Sequence, residues 1–280
     1  MDPTVSVWLQ LVFRWVHVVA GIAWIGHLYF FNFVNAQVVK TYDADSKKKV
    51  VPELMPRALY WFRWGAAYTW ITGILLLGLV YYMGGKASGL LVPPDSSMSV
   101  GAATGIGLGA LIVGFGIYDA LWKAMAKNET AGVAVSFVLL AAVTFGLGQV
   151  YAGRAVYIHV GALFGTIMAA NVWMRIWPAQ RKIIAATKAG TAPDAALAAT
   201  AGLRSKQNTY MSVPLVFLMI SNHYPDLYGS ELGWVYLLAI VAVGWGVTKL
   251  LYNKAASPAP AQYQPEGEPA PAAKPAEAKK

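Results

Sequence analysis

The sequence predicts an all-α, polytopic transmembrane helix bundle of about seven spans, with its N-terminus outside and its C-terminus cytoplasmic. Three observations carry this expectation. Of the 280 residues, 57% are hydrophobic and only 12% are charged, a balance that a soluble domain of this length seldom shows. Apolar stretches of about 18 or more residues recur, each sufficient for a hydrocarbon core of roughly 30 Å at about 1.5 Å per residue. These stretches do not alternate with period two, so the pattern of a membrane barrel is missing, and open strand edges cannot satisfy their backbone in lipid.

In chain order the spans are expected at about 7 to 35, 60 to 82, 98 to 119, 131 to 151, 155 to 177, 208 to 223 and 232 to 252. The first is too long for a signal-peptide core and is not followed by a small-residue cleavage pattern, so no cleavable signal is expected. In the third, Gly101, Gly105 and Gly109 recur every four residues, which predicts a face that a neighbouring helix approaches closely. The sixth, within "YMSVPLVFLMISNHY", is short and holds Pro214, which predicts a kinked or irregular helix. The loop before it contains the alanine-rich "DAALAATAGLRSKQ", a candidate for a short surface helix. Trp8, Tyr81, Tyr82, Trp177 and Trp234 fall near span ends, where interfacial belts form. Residues 1–252 thus make one transmembrane domain. Residues 253–280, rich in Pro, Ala, Glu and Lys, are expected to be a disordered tail.

Orientation follows from the cations. Lys40, Lys47, Lys48, Lys49 and Arg57 follow the first span, Lys123 and Lys127 the third, and Arg175, Arg181, Lys182, Lys188, Arg204 and Lys206 the fifth. The alternate loops hold little beyond Lys86 and Arg154. The basic loops are therefore expected in the cytoplasm of a bacterial inner membrane, and the net charge of +9 reflects that asymmetry and calls for no nucleic-acid partner. With no cysteine, the chain has no disulfide, thiolate metal site, iron–sulfur cluster or covalently attached c-type haem. Walker, G-x-G-x-x-G and H-E-x-x-H motifs are missing, as are paired intramembrane carboxylates. Asp119 is expected to pair with Lys123 at i+4.

Ionisable groups inside spans are expensive and so point to function. Given the orientation, His17, His159 and His223 lie toward the outer face with Arg14 and Arg154, whereas His27 lies in the inner half. His17 and His27 are separated by about 15 Å along the helix and about 80° around it, so they cannot share one metal. Each could pair with an imidazole of another helix, as haem b is held in membrane bundles. This makes His17, His159, His223 and His27 candidate cofactor ligands, with His17 and His159 the expected haem-iron pair. Structural alternatives are an interhelical hydrogen bond for His17 and a water-bonded interfacial position for His223.

The segments "WVHVVAGIAWIGHLYFFNFVN", "PRALYWFRWGAAYTWITG" and "RAVYIHVGALFGTIMAANVWMRIWPAQRK" resemble the bacterial membrane urate hydroxylases, the group defined by a urate oxidase N-terminal membrane domain. The resemblance runs from about residue 7 to about 252. It implies oxidation of urate to 5-hydroxyisourate, with electrons leaving through a cytochrome c domain fused after the last helix. Here no C-x-x-C-H occurs, and seven spans would leave the C-terminus in the cytoplasm. The expected acceptor is therefore a separate periplasmic cytochrome c or a quinone.

Urate is a planar monoanion, which calls for an arginine, amide side chains for its edge and an aromatic face. Arg14, Arg154, Trp24, Asn171 and Trp173 are the candidate substrate contacts. Two other functions fit the same composition: a b-type cytochrome subunit that only relays electrons, and a permease for purines or other anions.

Overall fold

The structure, a computed structural model, describes residues 2–257. All of the regular structure among them is helical. Helix α1 (Pro3–Tyr29) starts at Asp2, whose carboxylate accepts from the Thr4 and Val5 amides, with Pro3 in the first turn. It runs through a π-helical segment, Phe30–Asn35, into the short α2 (Ala36–Val38). Helix α3 (Ala44–Leu77) is capped by Asp43, which holds the Ser46 amide at 2.6 Å, and ends in a second π segment, Gly78–Tyr82. Because that amide stabilises the ionised form, the Asp43 carboxyl titrates below the usual carboxylate range.

Helices α4 (Val100–Ala124) and α5 (Glu129–Gly148) are capped by Ser99 and Asn128. Helix α6 (Gly153–Asn171) passes through a third π segment, Val172–Ile176, into α7 (Trp177–Ala189), which stops at Gly190 in the left-handed conformation. Helix α8 (Ala195–Ile220) is followed by a 3₁₀ turn at Ser221–His223, the one-turn α9 (Pro225–Tyr228) and α10 (Gly233–Ala255).

Six stretches are long and apolar enough to cross a membrane: Pro3–Val38, Ala44–Tyr82, Val100–Ala124, Glu129–Gly148, Gly153–Ala189 and Gly233–Ala255. The chain is a multi-pass membrane protein. Helix α8 misses this set because Arg204, Ser205, Lys206, Gln207 and Asn208 occupy its middle, yet it threads the bundle with Arg204, Asn208, Thr209 and Ser212 buried. The expected surface helix and the expected sixth span are one element, since good helix formers leave no break between them. Pro214 does not end it. The irregular backbone expected at Pro214 appears instead in the π segments that end α1, α3 and α6.

The long helices α1, α3, α4, α5, α6, α8 and α10 alternate in direction. At one end of the bundle, Asn32 of α1's continuation meets Ser205 of α8 and Tyr252 of α10. At the other end, Tyr81 after α3, Asn222 after α8 and Arg154 of α6 share hydrogen bonds. Helix α6 is the central post: 78% of its most apolar window is buried, against 33% or less in the other five spans. Helix α1 lies outermost, showing Trp8, Trp15 and Ile22 outward, and crosses α3 at Gly65. A β-carbon on Gly65 would stand 3.0 Å from the Trp24 amide nitrogen and 3.1 Å from the Ala20 carbonyl oxygen.

Gly101, Gly105 and Gly109 do not form the expected close contact; a β-carbon at any of them meets open space. Their face of α4 points out of the bundle, and the glycine pressed inward is Gly107. Tyr81 is likewise no belt residue, being buried. Helix α10 continues three residues past the expected boundary at 252, and the rest of the expected tail, 258–280, lies outside the described residues.

Replacing Gly65 by Leu pushes two backbones apart, and overpacking of this kind costs about 1–3 kcal/mol. Thermal unfolding in detergent should show a lowered midpoint for Gly65→Leu and little change for Gly246→Leu, where the added side chain meets open space.

Candidate functional site

Polar side chains inside an apolar bundle must find partners in protein. On the central helix two of them anchor separate networks. His159, near the start of α6, is 1% exposed, and Asn171, at its end, is fully buried. Twelve residues of helix put about 18 Å between them.

At His159 the ring is held in one tautomer. Nδ1 lies 2.7 Å from the Ala155 carbonyl oxygen, which can only accept, so in the neutral ring Nδ1 carries the hydrogen and Nε2 keeps its lone pair. The Tyr82 hydroxyl donates to Nε2 at 2.9 Å. The Tyr151 ring packs on the imidazole at a centroid distance of 4.5 Å, and its hydroxyl donates to the Ala103 carbonyl at 2.7 Å. Gly107 of α4 faces this cluster: a β-carbon there would fall 2.6 Å from Tyr151 Oη, 2.8 Å from Tyr82 Oη and 2.9 Å from His159 Nε2.

Tyr81 reaches the same histidine edge-on, at 6.0 Å between centroids. Neighbouring residues of an α-helix point about 100° apart; the wider turn of the π segment Gly78–Tyr82 lets both tyrosines turn inward.

The network continues to the end of the bundle. Asn222 Oδ1 accepts from the Tyr81 hydroxyl at 3.0 Å and from Arg154 Nε at 2.9 Å. Among the described residues the terminal guanidinium nitrogens of Arg154 take no hydrogen bond and no carboxylate pairs with it. The outcome is a cation with free donors, an amide and a phenol, one layer from a buried imidazole–phenol pair. Such a set can receive a planar anion at its edge and take a proton from it or from water.

The second network is a charge knot. Asp119 of α4 accepts from Arg175 Nε at 2.9 Å and Nη2 at 2.5 Å, from Arg204 Nη2 at 2.9 Å and from Lys123 Nζ at 2.8 Å. The expected i+4 pair is thus one of three. Arg204, 3% exposed, also lies 5.0 Å from the centre of the Tyr118 ring. The Tyr118 hydroxyl bonds Gln207 and accepts from Asn171 Nδ2, which also bonds Asn208 Oδ1.

The other sequence-predicted residues take separate positions. His17 bonds the Thr72 hydroxyl through Nδ1 at 3.1 Å and lies against Gly73. His27 bonds the carbonyl of Ala23 in its own helix at 2.7 Å and faces an outer groove between α1 and α3. His223 is exposed in the 3₁₀ turn. Trp24 is buried against α3. Trp173 donates to the Arg63 carbonyl at 3.1 Å. Arg14 is bonded to Gln10 at 3.4 Å on the exposed side of α1. Arg154 and Asn171 stand at opposite ends of α6, about 25 Å apart, so one purine cannot touch both.

The fit of a haem between His17 and His159 turns on free nitrogens. His17 leaves Nε2 without a protein partner, and the Ala155 bond would suit a ligand histidine, but His159 Nε2 already accepts from Tyr82 and is pressed against Gly107 of α4, which leaves no space for a macrocycle. As placed, the pair does not fit an iron, and no step below runs through one.

Sequence reading passed over Tyr82, Tyr151 and Gly107 as site residues. Tyr82 and Tyr151 stand near span ends, where interfacial aromatics are expected, and Gly107 is one of several glycines inside α4; the one local signal was the unusual pair of adjacent tyrosines.

Two substitutions probe the networks. Gly107→Ala should disturb the His159 cluster and lower activity, while Gly105→Ala, on the open face of the same helix, should leave it unchanged. Asp119→Asn leaves Arg204 buried without its counter-charge, which costs about 3–5 kcal/mol. Its unfolding midpoint should fall steeply, and that of Glu53→Gln, from the exposed pair with Arg57, should not move.

No curated protein and no solved structure matches the chain. Residues 3–50 and 41–265 match the family described as urate oxidase N-terminal. Together these segments take in every helix of the bundle, so the chain belongs to the urate oxidase N-terminal family.

Proposed function

We propose that the protein is a bacterial inner-membrane enzyme that oxidises urate, or a closely related purine anion, to the 5-hydroxy product and passes the electrons to a separate cytochrome c or a quinone. The observation that carries this reading is the family match across the whole bundle. The positive-inside rule puts the basic ends of α3, α4 and α7 in the cytoplasm and the Arg154–His159 end outside.

The reaction balances as urate monoanion plus water giving 5-hydroxyisourate, one proton and two electrons. Arg154 is suited to the anionic edge of the purine, and Asn222 holds that guanidinium from behind through Nε. The water that adds to the purine must lose a proton. Tyr82 and His159 form a two-step acceptor: the tyrosine oxygen takes the proton from water as its own proton passes to His159 Nε2. The Ala155 carbonyl keeps that nitrogen available by fixing the hydrogen on Nδ1. The site excludes bulk water around the imidazole, since His159 and Tyr151 are both buried.

The test is turnover by the full chain in lipid vesicles, with urate and either ferricytochrome c or a short-chain quinone as acceptor. Expected is loss of urate with two electrons appearing on the acceptor. Tyr82→Phe should lower kcat by roughly 10²-fold or more with KM little changed. Arg154→Gln should chiefly raise KM, by about tenfold or more. Urate uptake by vesicles lacking any acceptor would replace the enzyme by a permease. A reducible Soret band without urate turnover would replace it by an electron-relay subunit.

A further inference from the structure

At the basic end of the bundle, outside both networks, two guanidinium groups gather on one tryptophan. Arg63 of α3 has its Cζ 4.1 Å from the centre of the Trp177 ring, 5.7 Å from Trp173 and 5.8 Å from Tyr60. Arg181 of α7 lies 5.9 Å from the same Trp177 ring. Neither arginine makes an ion pair among the described residues, and Arg63 Nε is buried without a hydrogen-bond partner. Aromatic faces return only about 0.5–2 kcal/mol per cation, less than a half-desolvated charge loses. Arg63, partly buried, is left uncompensated, and the exposed Arg181 beside it adds a second positive charge, so this place calls for an anion.

The geometry says which kind. Tyr60 and Trp64, which border the Arg63 cage, also line an open apolar groove of about 470 Å³ between α1 and α3. From the cage the groove runs to Tyr68 on α3 and to Trp15 on α1, about 12 Å of helix. It faces outward, with Trp15 69% and Trp61 60% exposed. The cationic cage therefore sits at the end of the groove nearer the basic loops, and the apolar channel leads from it toward the middle of the bilayer. A soluble anion would use the first feature and ignore the second.

We propose that Arg63 and Arg181 bind the phosphate of an anionic phospholipid, with one acyl chain lying in the groove between α1 and α3. Trp177 stacks with both guanidinium groups and orients their donors. The site is independent of the purine chemistry at Arg154 and His159, which lies at the other end of the bundle.

The test compares thermal unfolding of the full chain in detergent with added dioleoylphosphatidylglycerol or dioleoylphosphatidylcholine, together with native mass spectrometry to count retained lipid. The proposal expects the anionic lipid to raise the midpoint by several degrees over the zwitterionic one and to remain bound. Arg181→Gln, at an exposed position that folding does not need, should lose most of that difference, and Arg63→Gln with Arg181→Gln should lose all of it. Arg57→Gln with Lys182→Gln, which removes equal charge nearby, should keep it. Equal stabilisation by inorganic phosphate would overturn the lipid in favour of a free anion. Equal loss in the Arg57 and Lys182 variant would reduce the effect to general surface charge and overturn the site.

Discussion

Asp119 is the group on which the arrangement of the bundle depends. A lone carboxylate at the end of an apolar helix would be expelled toward water, yet here it is 6% exposed because α6's continuation, α8 and α4 itself each send it a cation. The same bonds settle how α8 enters the bundle. Arg204 can be buried only where it meets Asp119 and the Tyr118 ring, so the polar middle of α8 turns Arg204, Asn208, Thr209 and Ser212 inward and its apolar last turns follow along α6. Such a knot contributes specificity of assembly more than net stability, since desolvation of Asp119 and Arg204 offsets much of the attraction.

With α8 seated in this way, the far end of the same helix delivers Asn222 to Arg154 and Tyr81. The two ends of α6 are therefore linked mechanically. The basic end locks the register, and the opposite end inherits the positions of the groups around His159. The separation of roles is chemical as well. At Asp119 every charge has a partner, whereas at Arg154 the terminal guanidinium nitrogens have none among the described residues. A closed network suits structure and an open one suits a ligand.

The π segments explain why two of these networks exist at all. Each falls at the end of a long helix and changes the facing of the residues within it: Tyr81 and Tyr82 both reach His159, and Val172–Ile176 sends Trp173 to Arg63 and Arg175 to Asp119. Insertions of this type cost backbone hydrogen bonding, and the polar contacts they permit offset that cost.

Composition and apolar run length determined by themselves that this is a helical membrane bundle, because lipid offers the backbone no partner and leaves only helices of sufficient length. Local residue types also marked His159, Arg154 and Asn171, since polar atoms at bilayer depth need a reason. Only the tertiary structure decided which of them act together. It divided Arg154 from Asn171 by the length of α6, gave His159 to Tyr82 in place of His17, and turned the glycine stripe of α4 outward while pressing Gly107 inward. Helical rotation within a π segment and the seating of a polar helix against a distant carboxylate depend on contacts between segments far apart in the chain, and no local pattern of residues encodes them.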